Sequence, residues 1–222
     1  MSATIREQSD QFKAVAAKRL PPEALEVFDR SVEHFLAEGV PAEAIKIGDR
    51  LAAFTLDDAA GKPVGLDQLV AAGPAVIVFY RGSWCPYCNL ALRAYQQELL
   101  PQLDAFGARL VAISPQSPDQ SLTTAEKADL AFTVLSDPGS RVARSIGIAF
   151  QQADDVLAAQ RQLGLDLTKV NAEGATYLPR PTVLIVDRNQ TVQFVDVQPD
   201  YTARTEVAEI LAALSHLEIS GP

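Results

Sequence analysis

Residues 75–89 read Ala75-Val76-Ile77-Val78-Phe79-Tyr80-Arg81-Gly82-Ser83-Trp84-Cys85-Pro86-Tyr87-Cys88-Asn89, and this stretch decides the fold. The branched and aromatic run 75–79 has no polar interruption, which predicts a buried strand of the parallel type. From Asn89 to Gln102 the chain is rich in Leu, Ala, Arg and Gln, good helix formers, so a helix follows. Pro101 lies inside that pattern and predicts a kink. The two cysteines fall where a strand hands over to a helix. The unpaired N–H groups and partial positive charge of a helix start favour a thiolate over a thiol. Cys85 and Cys88 lie one turn apart on one helix face, within reach of each other. They are the only cysteines in the chain. The pattern is that of a dithiol redox site.

Other uses of a cysteine pair fit less well. A Cys-x-x-Cys can be half of a structural zinc site, but the other half is missing. No second pair exists, and the two histidines, His34 and His216, stand near opposite ends of the chain. Inert core thiols are poorly served by an exposed strand-to-helix turn.

The chain has 222 residues, 48% of them apolar, which suits one soluble domain with extensions. A net charge of −9 with no Lys/Arg cluster excludes a nucleic-acid surface. No apolar run reaches membrane-spanning length. Residues 1–20 are polar and mixed in charge, unlike a signal peptide, so a reducing cytoplasm is expected, where paired cysteines are more often catalytic than structural.

Residues 1–45 read as a helical extension. Leu25, Phe28, Val32, Phe35 and Leu36 form one stripe of a helix that starts after Pro21-Pro22 and ends at Gly39. Phe12, Val15 and Ala16 mark a shorter helix before it. This arm either packs on its own body or makes a homodimer contact; an amphipathic stripe does not say whose core it completes. From 46 to 222 strands alternate with helices. A hairpin is expected over 51–64 with its turn at 57–61, one helical turn over 67–71, and strands at 109–114 and 133–135. Helices are expected over 120–129 and over 140–146, the second capped near Asp137. Strands 182–187 and 192–197 form an antiparallel hairpin, and Val207, Ile210, Leu211 and Leu214 make the apolar face of a last helix. Residues 150–178 interrupt this order as an insertion, helical over 153–163. The class is α/β.

Several of these pieces resemble a known family. A strand, Trp84-Cys85-x-x-Cys88, a kinked helix, a strand, and later a Pro-Thr opening a hairpin resemble the thioredoxin fold. Gly48-Asp49-x-x-x-x-Phe54-x-Leu56, Gly61-Lys62-Pro63-Val64, the turn 79–89, Pro181-Thr182-Val183-Leu184-Ile185-Val186-Asp187 and Asp200-Tyr201-Thr202-x-Arg204 resemble the peroxiredoxin-like branch, the alkyl hydroperoxide reductase/thiol-specific antioxidant family. The likeness covers about residues 47–215. It implies a three-layer α/β/α thioredoxin-like fold with a central mixed sheet.

The resemblance also implies a thiol peroxidase without a cofactor. It would reduce hydrogen peroxide or an alkyl hydroperoxide through a dithiol/disulfide cycle and be regenerated by a thioredoxin- or glutaredoxin-type reductant. Typical members carry Pro-x-x-x-Thr-x-x-Cys. Laid on this chain without gaps, that motif puts Arg81 at the proline, Cys85 at the threonine and Cys88 at the peroxidatic cysteine. Read as a thioredoxin, the same turn makes Cys85 the nucleophile and Cys88 its partner, and the position at the helix start favours Cys85. Among supporting residues, Trp84 belongs to the motif, Ser83 offers a hydroxyl in place of the threonine, and Arg81 or Arg180 would hold the thiolate. Pro181 resembles the cis-proline of thioredoxin folds. Residues 200–202 are expected to be structural, with Tyr201 over a sheet edge and Leu211 docked on the sheet. A thioredoxin-like disulfide oxidoreductase and a non-enzymatic redox sensor share the same turn and remain alternatives.

Overall fold

The computed structural model describes residues 3–117 and 130–219; the helix expected over 120–129 lies outside them. Seven strands form one mixed sheet in the order β2-β1-β5-β4-β3-β8-β9. They are β1 (Thr55–Asp58), β2 (Pro63–Gly65), β3 (Ala75–Phe79), β4 (Arg109–Ser114), β5 (Thr133–Ser136), β8 (Thr182–Val186) and β9 (Val192–Val197). β3 runs parallel to β4 and antiparallel to β8, so Phe79 lies between Ile113 and Thr182. All five residues of β3 are buried because both faces of the sheet are covered. Its alternation divides the core. Val76, Val78 and Tyr80 pack on one face with Leu92, Tyr95 and Ile210, while Ala75, Ile77 and Phe79 pack on the other with Leu66, Leu69 and Val142. The result is the three-layer thioredoxin-like α/β/α architecture.

Between β2 and β3 the expected helical turn forms as α3 (Leu66–Val70). The helix after the cysteines, α4 (Pro86–Ala94), carries on as a π-turn over Tyr95–Leu99 and a last α-turn over Leu100–Leu103. Pro101 brings no N–H to the Gln97 carbonyl and crowds it. The irregularity therefore falls one turn before the proline, with Leu100 N–H bonding the Tyr95 carbonyl. This swelling places the fully buried Tyr95 so that its hydroxyl donates to the Thr205 carbonyl at 2.8 Å.

Two helices precede the sheet: α1 (Ile5–Ala16) and α2 (Pro22–Glu38), and both pack on their own body. Thr4 and Glu7 form a capping box at the start of α1, and the Glu206 carboxylate accepts from the N–H groups of Ile5 and Arg6 at 3.1 and 2.8 Å. Phe12 meets Tyr87 edge-on with ring centroids 5.3 Å apart. Between β5 and β8 the chain forms α5 (Arg141–Ser145), β6 (Ala149–Gln151), α6 (Asp154–Gln162), α7 (Leu167–Val170) and β7 (Tyr177–Pro179). The expected cap is present, since both Asp137 carboxylate oxygens accept from Val142 and Ala143 N–H. β6 and β7 pair antiparallel and close the insertion at its base, and α6 packs on α2. The first hairpin turns later than expected, at 59–62, and residues 51–54 reach it as irregular chain with Leu51 buried.

The last helix, α8 (Val207–Ile219), docks through Val207, Ile210 and Leu214, whereas Leu211 is only half-buried. The deeply docked residue is therefore Ile210, one position before the Leu211 expected to dock. Ile210→Ala should cost about 2–5 kcal/mol in chemical denaturation, and Leu211→Ala clearly less. Among the described residues no helix is long and apolar enough to cross a membrane.

Candidate active site

The dithiol turn is held by hydrogen bonds to its backbone. Tyr80 N–H still pairs with the Ile113 carbonyl, after which Gly82 turns the chain at φ 145°. A Cβ there would lie 2.4 Å from Trp84 Nε1, so the position needs glycine. Gln116, just beyond β4, clamps Ser83 from both ends: Oε1 accepts its N–H at 2.6 Å, and Nε2 donates to its hydroxyl at 3.1 Å. Asn89 Nδ2 donates to the Ser83 carbonyl at 2.8 Å. The Ser83 hydroxyl, expected to stand in for a peroxide-binding threonine, accepts from Gln116 and keeps its own O–H to donate. Cys85 is the N-cap of α4, and Cys88 sits in its first turn.

Both cysteines are free thiols, and both are buried, contrary to the exposed turn expected. The guanidinium on them comes from Arg204, whose Nη2 donates to Cys88 Sγ at 2.9 Å and lies 3.8 Å from Cys85 Sγ. Burial opposes ionisation of Cys88, but this is overcome by a hydrogen bond from the Cys85 thiol, the charge of Arg204 and the Arg81 N–H, so its pKa falls well below the ordinary thiol value. Burial raises the Cys85 thiol well above that value, and its role as donor to Cys88 adds to the rise. The two titrations are coupled, and Cys88 is the sulfur on which its surroundings favour the negative charge.

The supporting residues divide. Arg81 is buried between the rings of Trp84 and Tyr201, 4.9 and 4.4 Å from their centroids, with Nη2 on Gln152 Oε1 at 3.3 Å, and its charge lowers both thiols. Arg180 does not hold a sulfur. Its Nη2 pairs with Glu38 at 2.8 Å and its guanidinium lies over Phe35, because a buried cation needs a counter-charge and α2 supplies one. The bond before Pro181 is trans, which corrects the expected cis-proline. The Arg180 carbonyl accepts the Thr182 hydroxyl at 2.9 Å, and the Pro181 carbonyl accepts Gln198 N–H. Tyr201 also departs from expectation. It stands at the site between Arg81 and Tyr87, and burial pushes its phenol up to about 12 against the pull of Arg81, so it stays protonated.

A cavity of about 430 Å³ opens over Cys85. Cys88 is not part of its wall, so the sulfur facing the cavity is the one whose pKa burial raises. α1, α2, the turn and the insertion all contribute to the lining.

The two thiol shifts give a pH signature. Cys88, lowered on folding, stabilises the reduced protein above the ordinary thiol range, and that gain is lost as pH falls through its folded value. Cys85, raised on folding, stabilises it below that range, and that gain is lost as pH rises through its folded value. The stability difference between reduced wild type and Cys85→Ser/Cys88→Ser should therefore peak around pH 9.0, the unperturbed thiol value, and decline on both sides. Urea denaturation at stepped pH checks this.

Residues 47–195 match the model of the AhpC/TSA family. The chain belongs to that family. Over 95 residues it is 34% identical to the chloroplastic peroxiredoxin Q of Sedum lineare, covering 43% of this chain and 50% of that one. It is 33% identical over 107 residues to the putative peroxiredoxin bcp of Haemophilus influenzae, covering 47% and 66%. The chain thus spans about half to two thirds of the length of these curated relatives. The crystal structure of peroxidoxin BcpB from Mycobacterium tuberculosis superposes with a TM-score of 0.62 at 22% identity, over 80% of this chain and 99% of that one. The matched region contains both cysteines, Arg81 and Gln116. Arg204, Tyr201 and the helices α1 and α2 lie outside it.

Arg204, Tyr95, Gln116 and Gln152 escape a reading of the sequence as site residues. Arg204 does stand in the Asp200-Tyr201-Thr202-x-Arg204 segment that resembles the family, but only as a C-terminal marker.

Proposed function

We propose that this chain is a thiol peroxidase that reduces hydroperoxides through Cys85 and Cys88. One observation carries the reading: Cys85 lines a cavity, and behind it stands a second sulfur, Cys88, to which Arg204 Nη2 donates at 2.9 Å. The nucleophile must touch its substrate, so position ranks before resting charge. Cys85 passes its proton to Cys88 and attacks the terminal, hydroxyl oxygen of ROOH. The S–O bond forms, the O–O bond breaks, and the alkoxide takes the proton back from Cys88 to leave as ROH. Cys85 is then a sulfenic acid and Cys88 again a thiolate. Cys88 attacks the Cys85 sulfur, the disulfide forms, and hydroxide leaves to become water with a solvent proton. Arg204 and Arg81 stabilise the negative charge throughout.

An external dithiol of thioredoxin or glutaredoxin type restores the pair by exchange, which needs a reducing compartment, and we propose the cytoplasm. The test is peroxide consumption by catalytic amounts of protein with thioredoxin, with glutaredoxin and with glutathione, beside insulin reduction. Many turnovers on peroxide with any of these, and little insulin reduction, are expected. Insulin reduction without peroxide turnover would favour the oxidoreductase, and a single oxidation without turnover a sensor.

A further inference from the structure

We infer that α1 and α2 are the specificity element of this site, selecting a hydroperoxide whose organic group is bulky and apolar. This rests on the peroxidase reading and adds to it residues outside the family-matched region, 47–195. The cavity over Cys85 is closed by the arm: Phe12, Val15, Ala16 and Leu20 from α1 and its exit, with Phe28 and Phe35 from α2. The insertion faces them with Phe150, Val156 and Leu163. Without the arm, Cys85 would open onto solvent on this side.

Size and chemistry argue together. A volume of about 430 Å³ lies within the range of small-molecule sites. At about 30 Å³ per water it has room for roughly fourteen waters, or an organic group of about as many heavy atoms. Hydrogen peroxide would leave most of that apolar wall wet, whereas each CH₂ buried there raises affinity about fourfold. The mouth is apolar too, because Phe12, Val15 and Leu163 remain exposed beside it. In a chain of net charge −9 the lining holds two arginines, Arg19 and Arg81, and no carboxylate. A cationic substrate is therefore disfavoured.

Two attachments hold the arm over the sulfurs: Glu206 on the first turn of α1 and the Glu38–Arg180 pair at the end of α2. The arm is thus held as a wall by residues that do not themselves touch the cysteines.

Trp84 is the only tryptophan of the chain and stands in the cavity wall, so its fluorescence reports occupancy independently of turnover. Reduced protein is titrated with cumyl alcohol, the product of cumene hydroperoxide, and with tert-butanol. Saturable change with cumyl alcohol at concentrations at least tenfold lower than with tert-butanol is expected. Ala16→Phe, which fills the cavity from α1, should weaken cumyl alcohol binding at least tenfold. It should also lower the ratio of kcat/KM for cumene hydroperoxide over hydrogen peroxide at least tenfold. Leu20→Ala, made in parallel, should lower that ratio in case Ala16→Phe fails to fold. Equal binding of the two alcohols, or an unchanged ratio in the folded variants, would overturn the inference while leaving the peroxidase reading in place. Cumyl alcohol binding by a protein that consumes no peroxide would overturn that reading, and with it the assignment of a hydroperoxide to the cavity.

Discussion

Cys85→Ser should abolish peroxide turnover, by at least about a thousandfold, the scale expected when a covalent nucleophile is lost. Cys88→Ser should behave differently. It removes the thiolate that takes the proton from Cys85, and general-base assistance is worth about a hundredfold or more, so the first step slows. It does not remove the sulfur in the cavity wall, and Arg204 still lies 3.8 Å from it. One dose of peroxide on Cys88→Ser should leave a sulfenic acid at Cys85 that has no partner to resolve it and that dimedone traps. Peptide mass spectrometry after the trap decides the matter. A dimedone adduct on Cys88 in the Cys85→Ser protein would give the attacking role to Cys88, as the ungapped family motif has it. The resting charge alone does not distinguish these outcomes, because the titration belongs to the pair.

Arg204→Met should produce the second large effect. Methionine keeps an unbranched apolar stem and removes the charge that sits 2.9 Å from Cys88. The thiolate then faces burial with only the Cys85 hydrogen bond and Arg81 to support it, and its pKa should rise toward or beyond the ordinary thiol value. At pH 7 the rate with peroxide should fall about a hundredfold to a thousandfold, comparable to loss of one preorganised donor elsewhere. The pH profile of iodoacetamide alkylation separates this from general damage, because a merely structural role would leave the profile in place. Arg204→Lys should recover part of the shift, since it keeps the charge and loses the planar fork. An alkylation profile of Arg204→Met that overlays wild type would remove Arg204 from the mechanism.

Much of this protein is decided locally, and those parts are legible in its sequence. The apolar run 75–79, the paired cysteines at the helix start, the hairpin over 182–197 and the cap at Asp137 depend on neighbours within a few residues. The family resemblance is carried by the same short segments. What the tertiary structure alone decides is which distant groups meet the sulfurs. Arg204 reaches Cys88 across 116 residues because α8 begins beside the π-turn of α4, where Tyr95 holds the Thr205 carbonyl. Arg180 carries the same charge and stands beside the proline that resembled a site residue, yet Glu38 holds it elsewhere. The arm gives a similar lesson. Its apolar stripe determines that α2 must be covered, but a stripe has no address, and only packing against α6 and the dithiol turn makes it the wall of a cavity. Exposure of the cysteines fails as an expectation for the same reason: a helix start is open only until another part of the chain is laid over it.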